Sequence, residues 1–173
     1  GAGGVGGILL PELRRSEDGS MLYAQRPSQF YASVLPSKVP GDFGVEEISL
    51  EYITAIEAAA VNVLLETFPE IRDGLWLHFI DNDSALGSLI KGCSNSVPMN
   101  CLSAGVHALC ASRRLHLWVE RVESAANPAD PPSRGAPPPA DPWGLGWQRR
   151  EVRFPVGWPT EPRPPPTDSG EWQ

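Results

Sequence analysis

Cysteine is scarce in this chain. Its three residues, Cys93, Cys101 and Cys110, are odd in number and show no CxxC spacing. Neither a disulfide framework nor a zinc site is therefore expected, and a reducing, intracellular compartment fits best. Net positive charge is also missing: 14 Lys and Arg against 21 Asp and Glu leave −7, which excludes a strongly basic, histone-like nucleic-acid binder. No apolar run approaches the ~18 residues of a membrane span, and no basic-then-apolar signal segment opens the chain, so no membrane partner is expected. What the sequence does have is apolar residues and proline. Hydrophobic residues make up 41% of 173, enough for the core of one ordinary domain.

Proline divides the sequence, with 13 of its 19 prolines at or after Pro128. Proline lacks the amide hydrogen and fixes φ, so neither a helix nor a central strand runs through Pro137-Pro138-Pro139 or Pro164-Pro165-Pro166. The reading is a domain over residues 1–135 and a proline-rich, mostly disordered tail over 136–173, with Trp143, Trp147 and Trp158 as the residues able to pack back locally. The domain alone carries 10 basic and 16 acidic residues, a balance of −6.

Periodicity changes along the domain. Val5–Leu10 is a short apolar strand, and Ser20–Gln25 with Gln29–Leu35 reads as one long or broken strand. Asp18-Gly19 is the hairpin turn between the first two runs. Ile53, Ile56, Ala60, Val63, Leu64 and Thr67 recur at three and four, which predicts a helix from Ser49 to Phe68. Pro69 and Gly74 end it. Leu75–Ile80 is unbroken and apolar, as in a strand buried on both faces. A short helix over Ser84–Lys91 stops at Gly92, a second helix runs from Pro98 to Arg113, and Leu115–Val122 is a further strand. Strands joined by helices imply parallel pairing and the opening hairpin implies an antiparallel part. The expected fold class is α/β, a mixed sheet with helices against it.

Three carboxylates stand out by position. Asp81 ends the apolar strand, where open α/β sheets place their sites. Asp130 follows the last strand in a turn, and Glu57 sits in the long helix between Ile56 and Ala58. Each has an ordinary alternative: Glu57 on a solvated helix face, Asp81 or Asp83 as a helix N-cap, and Asp130 as turn chemistry. If the three converge, they raise one another's pKa. A divalent cation relieves that conflict and supplies phosphodiester chemistry.

The wording around these residues narrows the choice. Phe79-Ile80-Asp81-Asn82-Asp83-Ser84-Ala85-Leu86, closing with Lys91-Gly92-Cys93-Ser94, resembles the third motif of the ribonuclease H domains of retroelement polyproteins. The segment from Val119 to Gly135, with Asn127-Pro128-Ala129-Asp130 and Ser133-Arg134, is similar to that family's last motif. Ile56-Glu57-Ala58-Ala59-Ala60 leading to Thr67-Phe68-Pro69 is similar to its helix, and Gly3-Gly4-Val5-Gly6-Gly7-Ile8-Leu9-Leu10 to its glycine-rich second strand. The four segments occur in the family's order and span essentially residues 1–135. The resemblance implies a ribonuclease H-like mixed sheet, two Mg2+ or Mn2+ ions, and hydrolysis of the RNA strand of an RNA–DNA hybrid. It makes Glu57, Asp81 and Asp130 the catalytic and metal-binding carboxylates, places Asn82 beside them, and makes Lys91 and Arg134 candidates for phosphate contact. A reverse transcriptase domain in the same polyprotein is the implied neighbour, and it would supply the grip on nucleic acid that this acidic domain lacks.

One departure from the family is serious. Its fourth carboxylate, an Asp ending a central first strand, lies before the glycine-rich segment, and this chain opens inside that segment. The expectation is an N-terminally truncated piece with the first, central strand missing, which leaves backbone groups unpaired between its neighbours. That departure keeps a second function in play, a catalytically dead ribonuclease H-like scaffold. A third, an integrase- or exonuclease-type metal nuclease, fits the Asn127-to-Arg134 wording poorly. Gly1-Ala2-Gly3-Gly4-Val5-Gly6 matches GxGxxG literally, but no strand precedes it and no helix follows, so a dinucleotide site is not expected. The family's use of glycine here is close approach of nucleic acid and little bulk beside the site. His78 and His116 fall in strand patterns and read as structural, and Cys101 and Cys110 as small core residues.

Overall fold

The computed structural model describes residues 4–34 and 50–155. Strand β1 (Gly4–Leu9) pairs antiparallel with β4 (Ser28–Val34), with Val5 opposite Ser33 and Ile8 opposite Phe30. Between them β2 (Leu13–Arg15) and β3 (Leu22–Ala24) form a separate two-stranded hairpin. Asp18-Gly19 does lie in a hairpin turn, but the incoming strand is β2, not the apolar run Val5–Leu10. The turn is held by the Asp18 carboxylate, which accepts from Ser16 Oγ, from Ser20 N at 3.0 Å and from Ser20 Oγ. The Ser16 hydroxyl is the main cause that brings Asp18 down to about 2. Gly19, at φ 74°, takes the left-handed position of the turn.

Helix α1 (Leu50–Thr67) follows, then β5 (Gly74–Ile80), α2 (Asp83–Lys91), α3 (Val97–Ser112) and β6 (Leu115–Arg121). After a short 3-10 turn over Ser124–Ala126 comes α4 (Asp130–Ser133), a single helical turn carrying Asp130. Strands β5 and β6 pair in parallel, from Gly74 opposite Leu115 to Ile80 opposite Arg121. The chain is thus an α/β protein with a mixed sheet and flanking helices. Among the described residues the strands form three separate sheets: the mixed sheet β1-β4-β7, with β7 at Trp147–Arg149, the β2-β3 hairpin, and the parallel pair β5-β6.

The core centres on α1. Ala58, Ala59, Val61, Val63 and Leu65 are almost wholly buried, while Ile53, expected on the apolar stripe, is exposed. Because α1 touches β1, α2 and α3, its burial runs round the helix and is not confined to one stripe. Asn62 is tolerated there because its amide donates to Leu102 O at 3.2 Å. Ser88 and Ser103 join α2 to α3 by a buried hydroxyl pair at 2.7 Å.

Three expectations are corrected. Strand β5 is not buried on both faces: Trp76 and Ile80 pack inward, but Leu75 is 75% exposed, Leu77 50% and Phe79 52%. Cys110 is buried as expected, whereas Cys101 is exposed on α3. The chain also keeps packing past residue 135. Strand β7 joins β4 in parallel. Arg150 pairs with Glu70 at 3.1 Å and lies over the Phe68 ring, Arg153 N donates to Thr67 Oγ1 at 3.1 Å, and Val152 and Phe154 pack on the core. The disordered tail over 136–173 is thereby corrected as far as residue 155. Trp147 packs edge-on to Phe30, and Trp158 lies outside the described residues.

Candidate carboxylate site

Local sequence fixes the end of β5. The strand terminates because Asn82 caps α2: its Oδ1 accepts from Ala85 N at 2.9 Å, and its Nδ2 donates to Thr54 Oγ1 of α1 at 3.4 Å. That cap holds the Asp81 backbone at the junction of strand and helix. Asp83, the alternative cap, instead pairs with Arg121 at 2.7 Å.

Glu57 projects from the middle of α1 and is largely buried. Burial, then the charge of Asp81, then that of Asp130, push its carboxyl up to about 7. Asp81 and Asp130, from two further parts of the fold, therefore both act electrostatically on Glu57. Beside Glu57 the Tyr31 hydroxyl donates to Ala60 O at 3.1 Å. Burial, with the Glu57 charge added, raises the phenol well above its ordinary value.

The glycines of β1 explain how α4 reaches this site. A Cβ on Gly4 would meet Ser133 O, and one on Gly6 would lie 2.3 Å from Ser133 N and 2.6 Å from Pro132 C, all backbone atoms. At Gly7 it would meet the Tyr31 ring at 2.5 Å. Close approaches at these glycines are thus made within the protein, by α4 and Tyr31.

The other candidates sit as follows. Arg134 lies one turn after Asp130 and grips its Oδ1 through Nε at 3.0 Å and Nη2 at 2.9 Å. Lys91 is exposed in the last turn of α2, roughly 12 Å along the helix axis from Asp83, and does not join the carboxylates. His78, on the helix-facing side of β5, meets the Trp76 ring edge-on with ring centroids 5.1 Å apart. Burial pushes its imidazole down to about 4. Arg134 as the partner of Asp130 is the role that sequence reasoning missed; the spacing of four on a helical turn was the available signal.

The donor chemistry suits a hard divalent cation, since all three groups offer carboxylate oxygen and their repulsion needs relief. The arrangement does not close on one: among the described residues no three His, Cys, Asp or Glu side chains gather closely enough to hold an ion, and Arg134 occupies an oxygen of Asp130. Around the site a cleft of about 930 Å3 runs between β1 and β5, floored by Glu57, Ala60 and Leu64 of α1 and ending at Asp81. No helix among the described residues is long and apolar enough to cross a membrane.

Fold and site together define an α/β protein in which a half-buried Glu57 lies within the electrostatic reach of Asp81, at the end of a parallel strand pair, and of Asp130. No family model, curated protein or solved structure matches the chain.

Proposed function

We propose that this chain is a ribonuclease H-type domain of a retroelement polyprotein that hydrolyses the RNA strand of RNA–DNA hybrids. The observation that carries the reading is the half-buried Glu57 carboxyl, which burial first, and then the charges of Asp81 and Asp130, push up to about 7. Strained titration of this kind concentrates at functional sites. The motif wording around Asp81 and Asp130 supports the same reading. Mg2+ or Mn2+, when bound, supplies the charge that activates water and stabilises a leaving oxygen, and Glu57, Asp81 and Asp130 are the residues to hold it. Glu57 holds or releases a proton at neutral pH. Asn82 positions Asp81 through the cap on α2, and Arg134 positions Asp130. Lys91, exposed and outlying, is a contact for backbone phosphate beyond the cluster. With so few cations, the grip on the hybrid comes chiefly from a neighbouring reverse transcriptase domain.

A second reading, a non-catalytic ribonuclease H-like scaffold, is favoured by one observation: the Arg134–Asp130 pair leaves the cluster without a ready metal-holding arrangement. One experiment separates the two. The full chain is incubated with a labelled RNA–DNA hybrid in millimolar MgCl2 or MnCl2, beside Asp81→Asn. The nuclease reading expects metal-dependent cleavage of the RNA strand, lost at least 100-fold in the variant, on the order of removing one electrostatic contributor. Cleavage unchanged in Asp81→Asn would overturn the site assignment. Absence of cleavage by the native chain at any metal concentration would leave the scaffold.

A further inference from the structure

A second groove opens past the C-terminal end of α4, and neither Glu57 nor Asp81 lines it. It holds about 780 Å3, within the ~300–1,000 Å3 of ordinary ligand sites. Phe30, Ala32 and Ser33 line it from β4, and the chain from Ser133 to Pro137 lines it from the end of α4. The chain carries −7 overall. Yet the charged residues of this groove are Arg134 and Arg149, and no Asp or Glu among the described residues joins them.

Local structure brings the two arginines to one place. Strand β4 runs to Val34, but β7 pairs with it only from Ser28 to Phe30. Phe30 O accepts from Arg150 N, so Ala32, two residues on, turns its carbonyl to the same outer side. Arg149 reaches along this open edge and donates to Ala32 O from Nη2 at 3.4 Å, a weak bond by its length. None of the ion pairs among the described residues includes Arg149. Arg134 comes from the other wall. A Cβ on Gly4 would meet Ser133 O, so glycine there lets the end of α4 close on β1. The Nε and Nη2 of Arg134 reach one oxygen of Asp130, while its side chain stays 76% exposed. A guanidinium has five N–H donors, so the pair with Asp130 leaves some for the groove. Guanidinium suits phosphate, which it can grip through two hydrogen bonds at once. A phosphodiester strand presents one charged group after another and can therefore serve both arginines. Arg149 lies outside residues 1–135, the span of the family resemblance, which gives it no role.

We infer, on the nucleic-acid reading above, that this groove is a site for one phosphodiester strand, in which Arg149 and Arg134 each take a backbone phosphate and the strand competes with Asp130 for Arg134. Such contacts position a strand without reading its sequence. Occupancy loosens the pair that now holds an oxygen of Asp130.

The probe is a fluorescein-labelled oligodeoxythymidylate of about eight nucleotides, titrated into the full chain with EDTA present and followed by anisotropy at rising NaCl. Saturable binding is expected. Each phosphate contact on a single strand contributes about −0.7 to the slope of log K against log salt. Arg149→Gln and Arg134→Gln should each weaken binding at least ~threefold and make that slope shallower by about 0.7. Arg114→Gln, in an exposed pair with Asp73, should change neither. Asp130→Asn should tighten binding at least ~threefold, and that gain should vanish in the Arg134→Gln background. If Arg134→Gln does not fold, the exposed Arg149 carries the slope test alone. Absence of saturable binding, or a native slope in Arg149→Gln, overturns the site. A gain from Asp130→Asn that persists without Arg134 is plain charge repulsion and overturns the competition. Displacement of the oligomer by inorganic phosphate at equal phosphate concentration would make free phosphate the ligand. Displacement by oligoglutamate of equal charge would make it an acidic peptide. Either result overturns the strand assignment. Oligomer binding without cleavage of a hybrid removes the nuclease reading alone, and cleavage with Arg149→Gln binding unchanged removes this inference alone.

Discussion

Glu57 and His78 are displaced in opposite directions, and their effects on stability oppose each other. Glu57 rises from 4.5 to about 7. The folded state then binds more protons than the unfolded one between those values, and stability falls as pH rises through them. His78 drops from 6.5 to about 4. Its contribution is present above 6.5 and is lost as pH falls toward 4. At ~1.36 kcal/mol per unit, each is worth about 3 kcal/mol. From pH 4.5 to 6.5 the two slopes cancel, and the native chain should be nearly flat in urea denaturation. Glu57→Gln should expose the histidine slope, with stability rising from pH 4 to 6.5. His78→Asn should expose the glutamate slope, falling from 4.5 to 7. A Glu57→Gln profile parallel to the native one would remove the buried carboxylate from this account.

At the scale of elements, β1 and α4 form one unit because β1 has almost no side chains where they meet. Gly6→Ala places a methyl against the backbone of Pro132 and Ser133, which no rotamer change relieves. The expected cost is about 1–3 kcal/mol, measured by urea denaturation. As α4 shifts, Asp130 moves from Glu57, and the Glu57 titration followed by NMR should fall slightly below about 7, since burial and Asp81, the larger causes, stay in place. A titration left in place would mean that Asp130 does not depend on β1 for its position. The glycine run itself was plain in the sequence, but what it makes room for was not, because a close approach involves a segment about 125 residues away. The elements read correctly were those with a strong local period or an end signal: α1, α2 with Gly92 in the left-handed C-cap position, α3 and β6. Strand β2 has only three residues, too few to show alternation. The two-sided burial assigned to Leu75–Ile80 failed because an apolar run records composition, and which face is covered depends on what packs there. Of the site, the position of Asp81 at the end of β5 was legible, whereas Asp130, read as part of a turn, opens the helical turn α4. The pairing of Arg134 with Asp130 and the distance of Lys91 from the cluster needed the helices in place.

The whole molecule is larger than its proline boundary. A proline-rich stretch cannot form helix or central strand, but it can lie along an edge, and Trp147–Arg149 does so against β4. The segment beyond then reaches back across the core: Ser28 Oγ donates to Asp141 at 2.8 Å, Arg150 meets Glu70 and Phe68, and Val152 and Phe154 cover the end of α1. Removing residues 136–173 should therefore destabilise the chain. It removes two partly buried apolar side chains, Val152 and Phe154, from the core they pack against, worth roughly 2–4 kcal/mol together, and leaves the outer edge of β4 unpaired. A full-length Phe154→Ala variant should show about half that loss, because Phe154 is one of the two side chains of the segment that pack on the core. Ending the chain at residue 155 should cost little beside ending it at 135. Denaturation of the three forms decides the matter. Equal stability of the chain ended at 135 and the full chain would mean that the segment contributes nothing and that residues 4–135 hold the α/β core alone. A loss concentrated between 135 and 155 would make β7 and the Arg150-to-Phe154 segment part of the folding unit, and would place the end of the fold after Phe154.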